Sequence, residues 1–184
     1  SNGKTIVKEW LGQVLGQKYA VAKSPKSYNS QVGVPLSVFG IEQNHQVAIM
    51  EAGISRPGEM EKLAAILRPQ MGIFTNIGTA HEEGFSSIKE KIREKLQLFS
   101  ETKLLIYCKD QPLVREEIEE SFSSDRLISW SAVPGADFVV SSKKQDSLTK
   151  IILLKRDLTT LTFQVPFTNS ASVENITHVI IAAL

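Results

Sequence analysis

The sequence holds one cysteine, Cys108, in 184 residues, so no disulfide can form within the chain, and a reducing compartment suits it. It has no apolar run near the ~20 residues that span a bilayer, and no charged-then-apolar leader ahead of its first helix. It also has almost no excess charge: 21 lysines and arginines against 20 acidic residues leave a net +1. No broad field therefore favours nucleic acid or an anionic membrane surface, and any anionic ligand must be held by local groups. Internal repeats, low-complexity tracts, zinc-type Cys/His spacing and a nucleophile elbow are missing too. What remains is ordinary globular composition, 42% apolar and 22% charged, at a length that suits one domain with its own core. These features predict a cytoplasmic domain without a membrane span or a nucleic-acid partner.

Periodicity predicts an α/β fold. Ile6, Val7, Trp10, Leu11, Val14 and Leu15 recur at helical spacing. Residues 47–50 read as a buried strand ending in Glu51. After Ser55-Arg56-Pro57-Gly58-Glu59, a helix start with an early proline, Met60, Leu63, Ala64 and Leu67 form a stripe that Arg68-Pro69 stops. Residues 72–76 are the next strand. That alternation implies a parallel sheet with right-handed crossovers. Strands at 103–108 and 126–130 flank a helix begun by Pro112, with Val114, Ile118 and Phe122 on one side. Three strands then follow without helices, at 138–141, 150–154 and 161–166, the last two as an antiparallel hairpin. A helix over 172–184 closes the chain. The expected fold is a mainly parallel P-loop-type sheet flanked by helices, with a small antiparallel region near the C-terminus.

Four places carry candidate chemistry. Residues 1–5, SNGKT, have the form of the back half of a phosphate-binding loop; the alternative is a polar N-terminus that caps the first helix. In the first reading Gly3 lets backbone approach a phosphate, Lys4 brings charge and the Thr5 hydroxyl holds Mg²⁺. The strand and the earlier glycine of such a loop are expected upstream, which points to a fragment. Glu51, at a strand's carboxyl end, is a natural Mg²⁺ ligand or the start of an ordinary loop. His81 lies in a loop between Gly78 and Gly84, beside Glu82 and Glu83, at the carboxyl end of a buried strand where open α/β sheets place ligands. Lys95 falls within the apolar sector formed by Ile88, Ile92, Leu96 and Phe99, while Lys89, Lys91 and Arg93 are expected to point elsewhere. A lysine there must snorkel, pair or lose its charge, and a neutral amine can take up CO₂ as a carbamate. Asn29 reads as a helix cap.

Taken together, these stretches resemble the central ATPase domain of the Mur ligases, and the MurF type most. SNGKT resembles the end of the family's TGSNGKT loop, YNSQVGVPL its FNNEIGVPL segment, MEAGISRPGEM its EMGANHPGEI segment and TNIGTAHEEGF its TNIGPAHLEGF loop. VENITHVIIAAL is a looser match to the HNVxNALAAAA helix. Departures from the pattern are Ala171-Ser172, where the family has His-Asn, and Tyr107-Cys108-Lys109-Asp110, where it has Asn-x-Asp-Asp. The resemblance implies that residues 1–184 form the catalytic ATP-binding domain of an ATP- and Mg²⁺-dependent amide ligase. The domains for UDP and for the amine lie elsewhere, so the fragment alone is not expected to turn over. The substrates implied are UDP-N-acetylmuramoyl-tripeptide and D-alanyl-D-alanine, joined through an acyl phosphate. Carried across, Gly3 and Lys4 hold the ATP phosphates, Thr5 holds a first Mg²⁺, and Glu51 binds magnesium and orders the γ-phosphate region. His81 takes the second Mg²⁺, and a carbamylated Lys95 helps position that second metal. Asn175 lies near the adenine and Asn29 near the phosphorylated end of the substrate. A non-catalytic module on the same fold, or a folylpolyglutamate- or cyanophycin-type ligase, shares the same core.

Overall fold

The computed structural model describes residues 3–78 and 84–184. The chain runs α1 (Lys4–Leu15), β1 (Val21–Lys23), α2 (Gly33–Phe39), β2 (Val47–Ile49), α3 (Glu59–Leu67), β3 (Met71–Phe74) and α4 (Ile88–Leu96). It continues through β4 (Leu104–Cys108), α5 (Pro112–Ser121), β5 (Leu127–Ser131), β6 (Phe138–Gln145), β7 (Leu148–Lys155), β8 (Thr160–Val165) and α6 (Ser170–Ala183).

Strands β3 to β6 pair in parallel and in chain order, and β7 and β8 extend the same sheet antiparallel. The period of two along β4 shows why helices cover both faces. Leu105 and Tyr107 point into a cluster with Ile92 and Leu96 of α4 and Ile118 of α5. Ile106 and Cys108 point the other way, toward Trp130, Ile151, Leu153 and Ile181 of α6. The expected hairpin is present, with Ile151 opposite Phe163 and Leu153 opposite Leu161, and β6 and β7 form a second one.

Strands β1 and β2 form a separate parallel pair. Residues of β2 and β3 line the same cavity, of about 350 Å³, closed on its sides by α1, α3 and residues near Phe99. This layout corrects one expectation: β2 is not fully buried, since Ala48 is exposed and Val47 and Ile49 only half-covered. The three-residue strand β1 was not expected either. Ile6, Val14 and Ile88 lie on the solvent side of their helices, so the apolar stripes are narrower than the sequence implies. Pro57 sits before α3, whose first turn follows Gly58 at φ 78°. Asn29 is not a cap: α2 begins at Gly33, whose N–H donates to Ser30 Oγ. Among the described residues, no helix is long and apolar enough to cross a membrane.

Candidate functional site

The site lies at the amino end of α1 and the carboxyl ends of β2 and β3, the crevice where open α/β sheets take ligands. Gly3 precedes α1 with φ 89°, a left-handed conformation that glycine adopts without strain. A Cβ on Gly3 would lie 2.2 Å from Asn175 Oδ1. The close approach sets Asn175, buried on α6, directly against the loop end. The next two residues begin α1, whose first amides face the same direction and favour an anion.

Thr5 turns its hydroxyl onto Glu51, donating to Oε2 at 2.7 Å. Asn29 donates through Nδ2 to the other oxygen, Oε1, also at 2.7 Å. The backbone N–H of Glu51 donates to Ser24 Oγ, and that of Gly53 to the Asn29 carbonyl. Glu51 is therefore held at both oxygens and at its own amide, although only 4% of it is exposed. Thr5 and Glu51 offer a hydroxyl and a carboxylate, the hard oxygen donors that suit Mg²⁺. Among the described residues no three His, Cys, Asp or Glu side chains gather as a metal group. Thr5 and Glu51 are therefore the oxygen donors that meet at this end of α1. His81 falls outside the described residues. Gly84, just after it, packs where a Cβ would meet the Ser55 carbonyl at 2.2 Å, which brings that end of the loop beside the segment following Glu51.

Lysines gather on the other side of the site. Lys4, Glu51 and Lys95 line one cavity. Burial lowers the Lys4 pKa, Glu51 works against that shift, and Lys91 adds to it. Lys95 is pulled from its ordinary 10.5 down to about 8, first by burial and then by the charges of Lys4 and Lys91. The position of Lys95 on the buried side agrees with the helical-wheel reading; that of Lys91 does not. Lys91 is 4% exposed, and its Nζ donates to the Gly78 carbonyl at 3.3 Å. Residues four apart on a helix differ by only about 40° around the axis, so Lys91 belongs on the face of Lys95. That spacing was the signal available in the sequence. Lys89 and Arg93 do point away, to the acidic face of α5, where they pair with Glu116 and Glu117.

The Mur ligase middle domain matches residues 1–183. The UDP-N-acetylmuramoyl-tripeptide–D-alanyl-D-alanine ligase of Bacillus subtilis is 35% identical over 118 residues, 62% of this chain and 26% of that protein. The chain thus spans about a quarter of that relative's length. In fold it is similar to MurF from Acinetobacter baumannii, with TM-score 0.88 at 24% identity over 100% of this chain and 40% of that one. MurF ligase from Thermotoga maritima in complex with ADP superposes with TM-score 0.84 at 24% identity, covering 99% of this chain and 43% of that one. The match over nearly every residue decides the family: this chain belongs to the Mur ligase middle-domain family.

Proposed function

We propose that residues 1–184 are the ATP-binding catalytic domain of a longer ligase that joins D-alanyl-D-alanine to UDP-N-acetylmuramoyl-tripeptide. Family membership, the name of the Bacillus relative and the ADP held by the Thermotoga structure support this reading. The observation that carries it is that Glu51, whose carboxylate accepts from the Thr5 hydroxyl, lines one cavity with the side-chain amines of Lys4 and Lys95 at the head of α1.

The reaction brings two anions together, a peptide carboxylate and a triphosphate, and the protein must offset their repulsion. Lys4 and the first amides of α1 draw the phosphates in, and Gly3 leaves room for close approach. Thr5 and Glu51 would hold one Mg²⁺, and His81 with Lys95 the other; bound magnesium supplies charge neutralisation at the transferring phosphoryl group. The carboxylate oxygen bonds the γ-phosphorus as the bond to ADP breaks. The amine nitrogen then bonds the acyl carbon, phosphate leaves, and the amine proton passes to a base. Asn175, set against Gly3, borders the nucleotide, and Asn29 fixes Glu51 while facing the substrate side.

Lys95 has the character this requires. With its pKa lowered to about 8, roughly a tenth of the amine is neutral at pH 7, far more than for an ordinary lysine. A neutral nitrogen bonds the carbon of CO₂ and releases a proton, and the resulting carbamate replaces a cation by an oxygen ligand.

The test uses the full-length protein, with phosphate release followed in the presence of ATP, tripeptide and dipeptide. Release should need both peptide substrates. Lys95→Ala should lose activity and regain part of it with short carboxylic acids. Activity indifferent to Lys95→Ala would overturn the mechanism.

A further inference from the structure

Lys8 lies one turn beyond Lys4 on α1 and is 3% exposed. Its Nζ donates to the Ser24 carbonyl at 2.7 Å and to the Lys26 carbonyl, and approaches Glu9 Oε1 at 3.3 Å. A lysine ammonium has three donors and no acceptor, and these partners match that number. Glu9 is shared with Lys23 at the protein surface, so the buried contacts are the two carbonyls.

Both carbonyls belong to the segment that joins β1 to α2, and this segment governs Glu51. Ser24 Oγ accepts from the Glu51 amide at 3.2 Å, while Asn29, five residues on, donates to Glu51 Oε1 and accepts from Gly53 N–H. Lys26, between them, has φ 48°. A left-handed non-glycine residue persists where surrounding contacts over-determine it, and the Lys8 bond to its carbonyl is such a contact. The helix that carries Lys8 also carries Thr5, whose hydroxyl holds the opposite oxygen of Glu51.

We propose that Lys8 is a positioning residue for Glu51: its buried ammonium fastens the 24–29 segment to α1 and so sets the geometry at which Thr5 and Glu51 together hold a divalent cation. The proposal rests on the reading of Glu51 as a metal ligand given above. Lys8 itself touches no reacting atom. Replacing it with methionine keeps the apolar stem and leaves two carbonyls without their donor, so the segment is free to drift and the Glu51 carboxylate with it.

The test measures Mn²⁺ binding to the full-length protein by electron paramagnetic resonance, with a non-hydrolysable ATP analogue present. Affinity for the analogue alone is measured in the presence of EDTA. Lys8→Met should weaken Mn²⁺ roughly tenfold, the scale found when groups that orient a metal ligand are lost. The metal-free affinity should stay within about twofold of wild type on the same argument. Lys8→Arg should recover part of the loss, and Lys8→Met should add nothing in a Glu51→Gln background. A fall in melting temperature with unchanged Mn²⁺ affinity would make Lys8 merely structural and overturn the proposal. Mn²⁺ binding unaffected by Glu51→Gln would instead sink the metal-ligand reading, and this proposal with it. If Lys8→Met does not fold, Lys8→Arg and Ser24→Ala carry the comparison, and unchanged Mn²⁺ affinity in both overturns the proposal.

Discussion

His178 is fully buried on α6, and only one of its ring nitrogens is satisfied among the described residues. Nδ1 accepts from Trp130 Nε1 at 3.2 Å, while Nε2 has no partner. Burial lowers its pKa from 6.5 to about 3, so the ring is neutral in the folded protein. Between those values the unfolded chain binds a proton that the folded chain does not. This contribution to stability is full above about pH 6.5 and lost as pH falls toward about 3, at up to about 1.4 kcal/mol per pH unit. His178→Leu removes that dependence and leaves the Trp130 N–H unpaired, at a cost of about 1–3 kcal/mol. Urea unfolding at pH 7 and pH 5 should therefore find the variant less stable at the higher pH and flatter between the two. A slope equal to that of wild type would clear His178 as the acid-sensitive group. Gly3 supports a second prediction at this scale. Gly3→Ala meets both the left-handed penalty of about 1–2 kcal/mol and the contact with Asn175, so ADP binding by the full-length protein should weaken roughly tenfold or more. Adding Asn175→Ala removes the collision and keeps the strain, so calorimetric titration should show partial recovery. No recovery would mean that the collision with Asn175 is not what weakens binding.

Helix α4 shows how far an element can be read from sequence. Its apolar positions Ile92 and Leu96 were legible because period alone places them on the core. Lys95 was legible because it broke that period at its centre. Its buried Glu94 was not, since the partner of that carboxylate sits in another element. Glu94 is 6% exposed and accepts the Met60 N–H of α3 at 3.1 Å. Met60 is in the first turn of α3, where the amides lack partners within their own helix. One helix thus caps another. Glu94→Ala should cost about 1–3 kcal/mol by leaving that amide buried and unpaired, and Glu94→Gln, which keeps an acceptor, less than about 1. Equal losses in the two variants would show that the hydrogen bond is not the cause. The same limit explains the missed strand β1. Three residues, Val21 to Lys23, carry too little period to separate them from a loop, and only pairing with β2 defines them. Asn29 was misread for a related reason: an asparagine ahead of a helix has cap propensity, but the carboxylate it serves lies 22 positions away.

At the scale of the molecule, α1 joins the two sheets. It packs on β1 and β2 and also on α6, which in turn covers β4. Val7 and Leu11 of α1 meet Val179 of α6, and Trp10 stacks on Phe167 with ring centroids 4.4 Å apart. The segment with Ser24, Asn29 and Glu51 rides on the two-stranded sheet, so this contact also sets where half of the candidate site stands relative to the other half. Leu11→Ala should cost about 2–3 kcal/mol through the cavity it leaves, which lowers the melting temperature by roughly 5–10 °C for a chain of this size. Leu153→Ala, in the antiparallel region, should cost a similar amount or more because Leu153 is completely buried. The two should differ in where they act. Leu11→Ala should speed hydrogen exchange at Val21 to Lys23 and Val47 to Ile49 while leaving 104–108 near wild type, because local openings follow the contacts that are lost. Leu153→Ala should leave the two-stranded sheet unchanged and act on β6 to β8. Exchange that rises uniformly in both variants would mean that the sheets open as one unit, and α1 would then have no separate role in holding the site together.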